Sequence, residues 1–151
     1  MANHRYPNEV DLPAWVAPLH LSVTAALAGL IWVVQVVHYP LFAAVGPDEF
    51  TRYEQRHRAR ITILVGPLMA VEGLAALALV LAPGDRTLPM LGLGLLGAIH
   101  ASTVFLQVPL HEQLSRHYDG RLIARLVRTN WIRTIGWTAR TVVAAAVLAT
   151  S

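Results

Sequence analysis

Residues 61–82 read ITILVGPLMAVEGLAALALVLA, a run with a single charge, Glu72. At 1.5 Å rise per residue such a helix reaches about 33 Å, enough for a hydrocarbon core of about 30 Å. Two further runs, 17–38 and 88–111, carry no Asp, Glu or Arg. A fourth, 130–150, is the least apolar because it holds Arg133 and Arg140. The predicted spans are therefore 17–38, 57–82, 88–111 and 130–150. The fold class is an all-α integral membrane protein, a four-transmembrane-helix bundle formed by one domain over residues 1–151. Pro83-Gly84-Asp85 reads as a tight turn between the second and third spans. Pro40 and Pro109 fall near helix ends, and Pro67 is placed to kink the second span.

Composition agrees. The chain of 151 residues is 55% hydrophobic and 14% charged, where soluble domains carry roughly 25% charged residues. Cysteine is absent, which excludes disulfides, thiolate nucleophiles and Cys-ligated metals. Every basic residue is arginine, a composition that points to a GC-rich bacterial genome. The sequence pI near 10.0 does not signal nucleic-acid binding, because the arginines sit between hydrophobic runs as topology signals. Arg52, Arg56, Arg58 and Arg60 follow the first span, and Arg116, Arg121, Arg125 and Arg128 follow the third. The polar N-terminal tail, with Asn8, Glu9 and Asp11, has only Arg5, and the turn after the second span only Arg86. The positive-inside rule puts both Arg-rich segments in the cytoplasm and both termini outside. The expected location is the bacterial inner membrane. Helices two and four are expected to start early, near Asp48 and Gly120, with Asp48 as N-cap.

The halves echo each other. The first span ends Gln35-Val36-Val37-His38-Tyr39-Pro40-Leu41, and the third ends Gln107-Val108-Pro109-Leu110-His111. The next helices carry His57-x-x-Arg60 and Asn130-x-x-Arg133. Two tandem helical hairpins would pair His38 with His111 and His57 with Asn130 across a pseudo-twofold axis.

Depth then sorts the polar residues. His38, Glu54, His57, His111, Asn130 and Arg133 all fall at the cytoplasmic ends of their helices, which a bundle gathers together. Glu54-x-x-His57 places a carboxylate and an imidazole on one helix face. That spacing serves metals in di-iron bundles. His38, Glu54, His57 and His111 are the expected metal ligands, a set suited to iron, copper or zinc. Without a metal, a histidine beside Gln107 and Asn130 would act as general base on a phenol-like molecule. The expected catalytic residues are His111, Asn130, Arg133 and Gln107. The plain alternative is an interfacial cluster satisfied by water and arginine.

Glu72 and His100 fall near the membrane middle. A charge there costs about 2.5–3.5 kcal/mol on insertion scales, so Glu72 needs a partner or stays protonated. His100 is one, and the pair is then a candidate cofactor contact. Arg140 is the other, as a structural ion pair. Haem held by His38 with His111, or by His20 with His100, is the less favoured cofactor.

Val108-Pro109-Leu110-His111, followed by Thr129-Asn130-Trp131-Ile132-Arg133-Thr134, resembles motifs opening and closing helices in the anthrone-oxygenase-like family of small bacterial and fungal membrane proteins. The His38-Tyr39-Pro40-Leu41-Phe42 exit of the first helix is similar too. The resemblance implies a four-helix membrane fold and, as in some members, oxidation of polyketide anthrones to anthraquinones without a recognised cofactor. This sequence has His111 where the family pattern has Asn, and it adds His38, Glu54 and His57. Those changes would mark a metal-using subgroup.

The expected function is a membrane oxidoreductase, an oxygenase acting on an apolar or aromatic small molecule that enters from lipid. The alternatives are a haem- or metal-carrying electron-transfer subunit, or a non-catalytic subunit of a larger complex. A homo-oligomer is compatible with each.

Overall fold

A computed structural model describes residues 12–150. The tail with Arg5, Asn8, Glu9 and Asp11 lies outside the described residues. Four helical rods form the molecule: α1 (Val16–Ala44), α2 (Pro47–Leu81), α3 (Thr87–Leu114) and α4 (Gly120–Thr150). All four are long and apolar enough to cross a membrane, and no strand occurs among the described residues.

The helix boundaries follow local chemistry. α2 starts at Pro47, whose missing N–H costs nothing at the first helical position. Gly46 holds the N-cap without a side-chain bond. Asp48 is therefore not the cap. It sits in the first turn, where its charge suits the helix dipole. Asp119 does cap α4, its Oδ1 accepting the N–H groups of Arg121 at 2.7 Å and Leu122 at 3.3 Å. Between α2 and α3 the chain turns at Gly84, the one described residue with positive φ, at 105°. Asp85 then accepts the Thr87 N–H and hydroxyl, which hold its carboxyl below the ordinary range. Pro67 lies inside an unbroken α2.

Two stretches depart from α geometry. Val34–His38 in α1 and Thr103–Gln107 in α3 are π-helical. Each ends two residues before a proline, Pro40 and Pro109. A proline has no N–H, and its ring crowds the carbonyl four residues back. Widening the preceding turn relieves the clash. Tyr39 N–H then bonds Val34 O, and Val108 N–H bonds Thr103 O, each five residues back. The shared π turn sets the register of the two halves, so His38 corresponds in position to Gln107, each being the last residue of its π turn. The inserted residue rotates the remainder of the helix, and Tyr39 turns into the bundle with 3% exposure.

The bundle's surface is apolar and its interior is partly polar. Ile63 and Phe105 are each 75% exposed, while Arg140 is 1% exposed and Glu72 has no exposure. Arg140 Nε donates to Glu72 Oε1, and its Nη1 donates to the Gly92 carbonyl. His20 and Thr24 of α1 complete this layer around Glu72 Oε1 at 3.4 and 3.3 Å. The expected Glu72–His100 pair does not form. His100 Nδ1 instead bonds Leu96 O at 2.9 Å on its own helix. An i−4 carbonyl was available to it, and the guanidinium outcompetes an imidazole for the carboxylate.

Close helix approach needs glycine at Gly136, where a Cβ would lie 2.7 Å from Ile99 Cγ1. Gly92 likewise leaves room for Arg140 Nη1, 3.1 Å from where its Cβ would be. Below the inner end, Phe42, Phe50, Leu114 and Leu126 are fully buried. Phe50 packs edge-on against Phe42 at 5.8 Å and Tyr118 at 5.2 Å. This aromatic plug fixes the helix ends on which the polar cluster is mounted.

Candidate functional site

The Arg-rich end of the bundle brings α1, α2 and α3 together around His111. Glu54, fully buried, points its Oε1 at His111 Nδ1, 2.6 Å away. A carboxylate only accepts, so Nδ1 carries the imidazole proton. Nε2 is then the acceptor, and the Tyr39 hydroxyl donates to it at 2.8 Å. The result is a directed chain from Tyr39 through His111 to Glu54. Arg133 of α4 lines the same cavity as the Tyr39 hydroxyl. The Tyr39 hydroxyl thus faces an imidazole whose other nitrogen is held by a carboxylate.

Beside this chain stands a second pair. His38 Nε2 and His57 Nδ1 are 2.8 Å apart, and the His57 and His111 rings lie 5.7 Å apart. The Glu54-x-x-His57 motif thus divides, its carboxylate going to His111 and its imidazole to His38. The four expected ligands are neighbours but form two hydrogen-bonded pairs. Among the described residues, no three His, Asp or Glu side chains are grouped so as to hold a metal ion. His38 and His111, the first expected haem pair, are likewise engaged with His57 and with Glu54. His20 and His100 of the second are taken by Glu72 and Leu96 O.

An amide network positions Arg133. Gln35 Nε2 donates to Val127 O at 3.2 Å, so its Oε1 accepts from Asn130 Nδ2 at 2.9 Å. Asn130 Oδ1 is thereby left to receive Arg133 Nη1 at 3.1 Å. Asn130 has no exposure. It positions the guanidinium rather than facing the cavity.

Comparisons of the chain with protein-family models, with curated proteins and with solved structures find no match.

The cluster opens into a cavity of about 300 Å³. Tyr39, His57, His111, Gln107 and Arg133 form its polar head, and Leu27, Ile31, Val65, Met69 and Trp137 line its apolar depth. Its mouth lies between α2 and α3, where Thr62, Gly66 and Val108 line it and are exposed. Below the mouth the two helices are clamped. Arg58 donates to Glu112 at 3.0 Å and to Ser115 Oγ at 3.1 Å, and Gln55 bonds Ser115 O at 3.1 Å. Above it they are joined by the turn at Gly84.

Two buried atoms at the head have no partner, Gln107 Oε1 and Arg133 Nε. The Gln107 amide is unambiguous. Thr129 spends its hydroxyl proton on Arg125 O at 2.8 Å, so it accepts from Gln107 Nε2 at 2.9 Å. That leaves Oε1 free. A buried acceptor and a buried donor without partners cost free energy unless a ligand meets them. Of the expected catalytic residues, His111, Gln107 and Arg133 line the cavity, and Asn130 stands behind them. Tyr39 is the residue that sequence reasoning missed.

Proposed function

We propose that the bundle spans a bacterial inner membrane, both termini outside, and acts as an oxidoreductase on an apolar aromatic molecule taken from the lipid. The observation that carries this reading is the Glu54–His111–Tyr39 chain opening into an apolar cavity. The resemblance to anthrone-oxygenase-like proteins suggests the reaction class.

In this reading an aromatic ketone with an acidic ring methylene lies against the cavity walls. Tyr39 passes its proton to His111, whose imidazolium is stabilised by Glu54. The Tyr39 oxygen then takes a proton from the ligand. The ligand's oxyanion is held at Arg133, and a neighbouring hydroxyl donates to Gln107 Oε1. Dioxygen adds to the carbanionic carbon, takes two electrons, and recovers the proton as a hydroperoxide. Loss of water leaves a second ketone, so a ring CH₂ and O₂ become C=O and H₂O. A positioned acid–base group contributes about 10²–10⁴-fold to such a step.

A second reading uses the same imidazoles as iron or copper ligands. The His38 and His57 rings lie 4.5 Å apart, close enough to serve one ion after their mutual hydrogen bond opens. Elemental analysis of the purified protein separates the readings. The test of the first is oxygen uptake with anthrone in metal-free nanodiscs, matched by quinone absorbance. Turnover by the wild type and its loss in Tyr39→Phe supports it. No turnover above the empty-disc rate, or equal turnover in both, overturns it.

A further inference from the structure

We propose that the groove between the end of α1 and the start of α4 binds an anionic phospholipid of the Arg-rich leaflet. This groove encloses about 480 Å³ on the outside of the bundle. Pro40 and Ala43 form one wall, Ile123 and Val127 the other, and Arg128 and Trp131 its rim.

Among the described residues, the arginines of α4 beside it are unmatched. Arg58 and Arg116 both engage Glu112, and Arg52 engages Glu49. Arg128 has no carboxylate within ion-pair distance among the described residues. Arg125 and Arg121 lie three and seven positions before it, on the same side of α4, where residues at such spacings are neighbours. They too have no acidic partner. Asp119, the nearest carboxylate in sequence, is committed to the α4 N–H groups.

An apolar groove calls for hydrocarbon, and Arg128 at its rim, with Arg125 and Arg121 continuing the stripe along α4, calls for an anion. A phospholipid with net negative charge supplies both in one molecule. A zwitterionic lipid brings an ammonium that the stripe repels. Trp131 marks the depth at which the two meet. It is 41% exposed, and its ring meets Trp32 edge-on at 5.6 Å. Indole rings favour the headgroup boundary, where one end is apolar and the other wet. The site is separate from the Tyr39 cavity. It rests on the bundle lying in a bilayer and not on the oxygenase reading.

Trp131 provides the readout. The protein is placed in phosphatidylcholine nanodiscs containing an equal small fraction of brominated phosphatidylglycerol or brominated phosphatidylcholine. The Trp131 share of the fluorescence is obtained by difference from Trp131→Phe. The expected result is about fivefold stronger quenching by the anionic lipid, the preference one well-placed arginine contributes near a membrane surface. The preference is lost in Arg128→Gln, kept in Arg128→Lys, and reduced by salt. Equal quenching by the two lipids overturns the proposal, as does an unchanged preference in Arg128→Gln. Failure to reconstitute at all would instead strike the membrane reading on which the site depends.

Discussion

His111 Nδ1 lies 2.6 Å from Oε1 of Glu54, a carboxylate with no solvent exposure on a different helix. That contact fixes which ring nitrogen carries the proton and so which one faces Tyr39. It also places a carboxylate beside the ring on which positive charge would develop during a proton transfer.

Glu54→Gln tests this. Its amide keeps the shape but not the charge, and it can present its NH₂ to the ring and reverse the tautomer. We expect turnover to fall by about 10²-fold or more while ligand affinity holds, because the carboxylate acts on the transition state. Steady-state kinetics in nanodiscs would show the fall in kcat with KM unchanged. A rise in KM alone would mean that Glu54 shapes the cavity and does not tune the base.

The Glu72–Arg140 pair is structural by position. It lies away from the cavity and is buried on both sides. Removing one partner of such a pair costs about 3–5 kcal/mol because the other charge is stranded. Glu72→Leu and Arg140→Leu should each lower the midpoint of thermal unfolding markedly. The double variant Glu72→Leu with Arg140→Leu should recover most of the loss. Thermal melts in detergent, with the four species compared as a cycle, check the coupling. Additive losses would show that the two residues act independently.

Gly66 sits at the mouth between α2 and α3, with nothing within 4 Å of an added Cβ. Gly66→Phe should therefore fold normally and block entry. We expect KM for anthrone to rise about tenfold with little change in stability, a loss of about 1.4 kcal/mol in binding. Gly94→Phe on α3, also unobstructed and away from the cavity, should leave KM unchanged. Equal effects of the two would remove the lateral mouth.

Gly136→Ala would bring a Cβ within 2.7 Å of Ile99 Cγ1. Overpacking of this kind costs typically about 1–3 kcal/mol. Gly97→Ala, with nothing within 4 Å, serves as the neutral control. A thermal melt showing equal stability for both would mean that α3 and α4 are less tightly apposed at Gly136.

The four rods were legible because length and hydropathy decide them with little help from tertiary context. The gathering of His38, Glu54, His57, His111 and Arg133 at one end was legible from their depth along each helix. Their pairing was not. Glu54 and His57 share a helix face, so a single shared ion was the natural expectation, yet each is satisfied from another helix. Tyr39 was passed over because a tyrosine at a helix end ordinarily faces the interface. Its inward aim depends on the π turn, and the only sign of that turn in the sequence was the placing of Pro40 and Pro109. Glu72 had two partners in reach by depth alone, and the choice of Arg140 followed from α4 packing against α1 and α3, which points the guanidinium across the bundle interior at Glu72.

The proposed proton abstraction by the Tyr39–His111–Glu54 chain can be measured without oxygen. The experiment incubates anthrone anaerobically in deuterated buffer with the protein in nanodiscs and follows deuterium entry into its ring methylene by mass spectrometry. The wild type should accelerate exchange above the empty-disc rate, and Tyr39→Phe and His111→Ala should each return it to that rate. Exchange in the two variants as fast as in the wild type would contradict the relay, whatever the protein is later found to oxidise.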